Sequence, residues 1–166
     1  MAGHTIDGRI LFPATGYMFL VWKTFAKLRG TTYDKLPIVF ENVTFQRATI
    51  MQKEGSVKFL INILEGSGEF EVYEGGSVAV SGYIRVPEEI KSEMLPLKMK
   101  TIPTKPKFLP LNTSDVYKEL RLRGYDYYGL FRGIKQVDNE GKITKLIKFV
   151  SHNMCNCVCS NFIAKI

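Results

Sequence analysis

Cysteine is scarce, and badly placed for a framework. The 166-residue chain has three, all in the tract CNCVC at Cys155, Cys157 and Cys159. An odd number confined to one short tract does not make a disulfide scaffold. Histidine is scarcer still, with only His4 and His152. A structural zinc site usually takes four ligands, and His152 would have to complete the Cys set. The tract reads instead as reduced thiols, or as a tail apart from the fold. Long apolar runs are also missing: none reaches the roughly 20 residues of a membrane span. The stretch from Ile10 to Trp22 does not read as a signal peptide either. Pro13 interrupts it, Asp7 and Arg9 precede it, and no A-x-A-like site follows before Lys23. These absences make a cytoplasmic protein with no membrane partner the expectation.

Acidic residues fall short of basic ones, 16 against 23, giving a net charge of +7. The excess is spread over Lys98, Lys100, Lys105 and Lys107, then Arg121 and Arg123, then Lys142, Lys145 and Lys148. Two readings stand: a solvated surface, or a docking face for an acidic partner. No aromatic-basic RNP motif, zinc finger or helix-turn-helix pattern accompanies the charge, so nucleic acid is not the expected partner.

What is present is an ordinary apolar share, 45% of residues, enough for a sizeable core at this length. Residues 14–29 read as a helix, with Pro13 in its first turn and Gly30 at its end. The run YMFLVWKTFAKL is apolar on nearly every side until Lys23, which predicts a helix buried all round. Strands follow over 36–51, 56–64, 68–75 and 77–86, joined by the short connectors EGS, EGSG and EGGS. This predicts an antiparallel meander of about four strands curled round one apolar helix, the hotdog arrangement. Residues 87–111 are rich in Pro and read as an extended linker. A helix over 112–124 is capped by Thr113 or Ser114 and ended by Gly124. Residues 125–150 read as a turn, a strand, an Asn-Glu-Gly turn and another strand.

The chemistry-bearing pattern sits at the start, in HTIDGRILFP. Removing a proton alpha to a carbonyl needs a neutral imidazole, an electropositive spot for the carbonyl oxygen and a dry cavity. His4 supplies the first. Gly8 permits close backbone approach. Pro13 opens a helix whose N-terminus offers free N–H groups and a dipole.

HTIDGRILFPATGYMFLVWKTFAKL resembles the start of the dehydratase domain of animal-type fatty acid synthase, in the wider family of fatty acid and polyketide synthase dehydratases. The HxxxGxxxxP motif matches at His4, Gly8 and Pro13. LRLRGYDYYGLFRGI, residues 120–134, resembles the entry to that family's second half, with Tyr128 where a small residue or Gly is expected. The resemblance covers about residues 3–150. It implies an α+β double-hotdog fold, with a first lobe over 1–88, a linker over 89–111 and a partial second lobe over 112–166, atypical from about 150. It implies elimination of water from a (3R)-3-hydroxyacyl thioester to give the trans-2-enoyl product. In that reaction His4 takes the C2 proton, the Gly8 N–H polarises the thioester carbonyl, and Pro13 sets the helix start. It implies no metal or redox cofactor, because the thioester arm is the phosphopantetheine of acyl carrier protein. The implied partners are that acidic carrier and the other synthase domains, and family synthases work as homodimers.

The family's second lobe also carries an Asp that acts as acid, within a Trp-x-x-Phe-x-Asp segment. Beyond Asp138 this chain has no Asp, and KFVSHNMCNCVCSNFIAKI stands where that segment is expected. The chain therefore reads as a fragment. Asp126, at a turn entry, and Glu140, in a hairpin turn, are the nearest carboxylates, and a structural role at the turn is the reading for both. A dehydratase with reduced activity and an inactive module that binds acyl chain or carrier are the two functional readings.

Overall fold

The structure is a computed structural model that describes residues 2–52, 55–93, 109–138, 144–146 and 162–165. In chain order the strands are β1 (His4–Ile6), β2 (Arg9–Ile10), β3 (Ile38–Phe45), β4 (Phe59–Ile63), β5 (Glu69–Glu74), β6 (Ser77–Arg85), β7 (Pro110–Asn112), β8 (Tyr125–Tyr127), β9 (Ile134–Asp138), β10 (Thr144–Leu146) and β11 (Phe162–Lys165). The helices are α1 (Ala14–Leu28), α2 (Ile90–Glu93) and α3 (Thr113–Leu122). The architecture is α+β, as expected. The chain divides into two compact units, residues 12–96 with 152–166, and residues 1–11 with 97–151. This division does not follow the chain-contiguous lobes 1–88 and 112–166 read from the sequence.

In the first of these units, α1 lies against a five-stranded sheet. Pro13 is its N-cap, with extended backbone at φ −71° and ψ 146°. The helix ends in a Schellman closure: the Gly30 N–H donates to the Lys27 carbonyl and the Thr31 N–H to the Ala26 carbonyl, both at 3.0 Å. Gly30 takes φ +68° there, a conformation glycine adopts without strain. The helix is not buried on all sides. Its buried residues are Tyr17, Met18, Val21, Trp22, Phe25 and Ala26, a single stripe at helical spacing. Phe19 and Leu20 are half-buried and Leu28 is exposed, so all-round burial is corrected to one face.

The sheet order is β11-β3-β6-β5-β4. Strands β4, β5 and β6 form a meander, but β3 pairs with β6 rather than with β4. A four-strand meander is thus corrected at its first strand: the connector from β3 leads to the far edge of the sheet. The pairing of Phe40 with Ile84 explains the choice, since both are buried side chains on the helix side. Strand β11 runs parallel to β3, with Phe162 opposite Ile38. The core joins the α1 stripe to Ile38, Phe40, Phe70, Val72, Ala79, Val80 and Ile84. Burying each large side chain of this kind stabilises the fold by about 1.5–3 kcal/mol. Trp22 keeps its polar end satisfied by donating Nε1–H to the Leu36 carbonyl at 3.0 Å. Arg85 bridges Glu41 at 2.9 Å and Glu93 at 2.6 Å, and these two carboxylates push its guanidinium pKa up.

The other unit has two three-stranded sheets, β2-β1-β8 and β10-β9-β7, with α3 packed on β7, β8 and β9. The cap of α3 is Asn112, not Thr113 or Ser114. Asn112 Oδ1 accepts from the Ser114 and Asp115 N–H groups, and the Asp115 carboxylate accepts from the Asn112 N–H. Asn112 wins because it alone keeps extended backbone, at φ −84° and ψ 175°, while Thr113 is already helical. The supposed linker also carries structure at both ends, α2 and β7; its residues 94–108 lie outside the described residues. Tyr125–Tyr127, read as a turn, is strand β8.

Candidate active site

His4 opens β1, the central strand of the β2-β1-β8 sheet. Asp7 and Gly8 form the two-residue turn to β2, with φ +49° and +71°. Both values are left-handed, the signature of a type I′ hairpin turn, and Asp-Gly is a favoured pair for it. A Cβ on Gly8 would meet no atom within 4 Å. The turn's dihedrals alone favour glycine here. The Asp7 N–H donates to the Gly124 carbonyl at 2.8 Å and fixes the hairpin tip against the start of β8.

Strand β8 pairs antiparallel with β1, and His4 is the direct partner of Tyr127. The two stretches that carried the resemblance, HTIDG and GYDYYG, are thus adjacent strands. The imidazole is half-buried between two rings. Tyr127 stacks on it with centroids 5.2 Å apart and planes 18° apart, and Phe131 lies 5.1 Å away at 50°. His4 Nδ1 is 2.9 Å from the Leu11 carbonyl. A carbonyl only accepts, so Nδ1 carries the proton, and in the neutral ring Nε2 bears the lone pair. The backbone doubles this contact, since the Leu11 N–H donates to the His4 carbonyl at 3.0 Å. Hairpin, carbonyl and two rings together hold one tautomer in one orientation.

Tyr127 keeps its phenol protonated: burial, with smaller contributions from Tyr125 and Tyr117, pushes its pKa above the ordinary tyrosine value. Behind it, Tyr117 is the buried residue of α3. Its hydroxyl accepts the Ile134 N–H at 3.1 Å and donates to the Phe131 carbonyl at 3.3 Å, and the Arg132 guanidinium covers its ring at 4.7 Å. This fixes the segment that carries Phe131 against His4.

Of the three residues singled out in the sequence, His4 and Gly8 share one hairpin. Pro13 is buried at the start of α1 and belongs to the other unit. Among the described residues the His4 ring meets the Leu11 carbonyl and two aromatic rings. Asp126 neighbours Tyr127 and pairs with Thr5, so its side chain takes the opposite face of the sheet from His4. It forms an ion pair with Arg121 at 3.2 Å. Glu140 and Cys155, Cys157 and Cys159 lie outside the described residues. Among the described residues no cluster of three or more His, Cys, Asp or Glu could hold a metal, and no helix is long and apolar enough to cross a membrane. A cleft lined by Leu28, Ile61, Ile63, Leu64 and Phe70, with Glu69 and Glu71 at hand, opens in the helix-and-sheet unit; His4, Gly8 and Pro13 are not among its lining residues. The sequence reading gave no role to Tyr127 or Phe131. The only signal was that they fall in the second stretch of the resemblance.

No family model matches the chain. The fold is that of polyketide synthase dehydratase domains, the hotdog class. The chain is similar to the dehydratase domain from the CurF module of curacin polyketide synthase, with 22% identity, a TM-score of 0.63, and coverage of 82% of this chain and 51% of that one. A trans-AT polyketide synthase dehydratase domain from Brevibacillus brevis aligns at 19% identity and a TM-score of 0.65, over 82% and 54% of the two chains. The dehydratase domain of PpsC from Mycobacterium tuberculosis aligns at 15% identity and a TM-score of 0.58, over 83% and 48%. The chain therefore spans about half the length of the solved structures it matches.

Proposed function

We propose that this chain is the base-bearing portion of a 3-hydroxyacyl-[acyl carrier protein] dehydratase of a fatty acid synthase, removing water from a (3R)-3-hydroxyacyl thioester to give the trans-2-enoyl thioester. The observation that carries this reading is the fixed tautomer of His4. Its Nδ1–H is committed to Leu11, so Nε2 is the atom available to take a C2 proton. The Gly8 N–H polarises the thioester carbonyl. The neighbours agree in kind. A His-to-Phe variant and an Asp-to-Asn variant of the CurK dehydratase are both described as inactive, and the PpsC domain was solved with C12:1-CoA. The partner in this reading is an acidic carrier protein whose phosphopantetheine arm brings the thioester, and the chain's net charge of +7 suits it.

A second reading is favoured by one specific observation: among the described residues the His4 ring meets a carbonyl and two aromatic rings and no carboxylate. On that reading the chain binds acyl thioester or carrier without chemistry. The assay that separates the two supplies a 3-hydroxyacyl pantetheine thioester and follows enoyl absorbance, with His4→Ala as the control. Turnover abolished by His4→Ala is the expected result. Saturable binding without turnover would replace the dehydratase reading by the binding one.

A further inference from the structure

We infer that Tyr117, on α3, is a positioning residue for His4: its hydroxyl holds the 131–134 segment so that the Phe131 ring stays against the imidazole. This rests on the dehydratase reading above and deepens it. Tyr117 is 4% exposed and lies on neither of the strands that carry His4 and Tyr127. Both hydrogen bonds of its hydroxyl leave its own helix. It donates to the Phe131 carbonyl at 3.3 Å and accepts the Ile134 N–H at 3.1 Å. Residues 128–133 lie between β8 and β9, outside either strand, so a side chain supplies there what ladder pairing supplies elsewhere. The Arg132 guanidinium, 4.7 Å over the Tyr117 ring, holds that ring in place.

The other side of the same turn is packed as closely. The Tyr128 N–H donates to the Gly3 carbonyl at 3.1 Å. A Cβ on Gly3 would stand 2.2 Å from the Tyr128 carbonyl oxygen and 3.0 Å from Phe131 Cδ2, so the turn presses on the residue just before His4. The imidazole therefore sits in a slot. Tyr127 stacks on it from β8, and Phe131 leans on it at 5.1 Å and 50°. The β1–β8 ladder fixes Tyr127. Phe131 has no ladder, and the Tyr117 hydroxyl fixes it instead. Proton abstraction depends on where Nε2 stands relative to C2, and a misplacement of about 1 Å can cost about 10²-fold in rate. Tyr117 bears on that distance through Phe131 alone.

The test uses the 166-residue chain with a (3R)-3-hydroxyacyl pantetheine thioester, and reads the His4 ring protons by NMR in samples without substrate. Those protons lie beside two aromatic rings, so their ring-current shifts report the slot. His4→Ala tells them from His152, and the indole N–H of Trp22, the one tryptophan, reports the fold. Tyr117→Phe keeps the ring under Arg132 and removes the hydroxyl. It is expected to lower kcat by about 10–10²-fold with KM within about twofold, since no substrate contact is removed. It is also expected to move the His4 signals while the Trp22 signal stays in place. Phe131→Leu keeps the backbone that Tyr117 bonds and removes the ring, and is expected to lower kcat likewise. The double variant is expected to be no slower than the slower single one, because one residue acts through the other. Unmoved His4 signals in Tyr117→Phe overturn the assignment whatever its rate, and so does a kcat within about twofold of the unsubstituted chain. Should Tyr117→Phe lose the Trp22 signal, Phe131→Leu decides, and unchanged activity there overturns the assignment. Fully additive losses in the double variant overturn it too, because Tyr117 would then act by another route. An unsubstituted chain without turnover overturns the dehydratase reading alone, and the His4 shifts still decide for or against Tyr117.

Discussion

Thr49 is only 2% exposed, and its Oγ1 is a buried atom without a hydrogen-bond partner among the described residues. Its backbone is fully used: the N–H donates to the Tyr17 hydroxyl at 3.2 Å, and the carbonyl accepts from Phe12 at 2.9 Å. The side-chain hydroxyl is thus desolvated without return, and a methyl of the same shape removes that cost. Thr49→Val is expected to leave stability unchanged or raise it by up to about 2 kcal/mol, read by urea unfolding. A loss greater than 1 kcal/mol would show an unseen partner. Tyr127 gives a pH prediction at the same scale. Its phenol titrates higher folded than unfolded, so the unfolded chain releases the proton first as pH rises. The contribution is complete below the ordinary tyrosine pKa and is lost as pH climbs through the raised folded value. The alkaline fall in stability should therefore be shallower in Tyr127→Phe than in the unsubstituted chain. His4 itself was legible in the sequence, because spacing to Gly8 and Pro13 marks it. Its ring partners were not, because no local pattern links position 4 to positions 127 and 131.

At the level of elements, α1 and strands β3 to β6 could be read from composition and short Gly-bearing connectors. The strand order could not, since β3 had to choose between two apolar neighbours and chose the one that buries Phe40 against the helix. Strands β1, β2 and β8 run for three, two and three residues, too short to show a period. Two devices in this part of the fold can be tested by single substitutions. Removing the Asn112 side chain breaks the half of the α3 capping box in which its Oδ1 accepts and leaves its backbone N–H on Asp115, so Asn112→Ala is expected to cost about 1 kcal/mol by denaturant unfolding. Gly8→Ala forces a Cβ into left-handed backbone at the hairpin turn, at an expected cost of about 1–2 kcal/mol. If Gly8→Ala left stability unchanged, the I′ turn would be the wrong account of that glycine.

For the whole molecule, the charge imbalance bears on the partner and not on the fold. Under the proposed function, an acidic carrier attracted by the net charge of +7 should bind less well as salt screens it. The KM for a carrier-borne thioester is expected to rise between low salt and 0.5 M NaCl, with the KM for the bare pantetheine thioester nearly constant. Equal salt responses would remove the carrier from the reading. The division into units was the least legible feature of all. Residues 1–11 group with residues 97–151, and a chain read in order assigns its first strand to the lobe that follows it.

That placement has a kinetic consequence. His4 and Tyr127 are about 120 positions apart, so their pairing closes a long loop and bears the entropy of doing so. Contacts of this span come late in folding, after the local hairpins β4–β5 and β5–β6 have formed. On the ribosome, β1 is synthesised before α1 and strands β3 to β6, and its partner β8 follows only after them. A nascent chain stopped before residue 125 therefore carries the histidine without the strand that orients it.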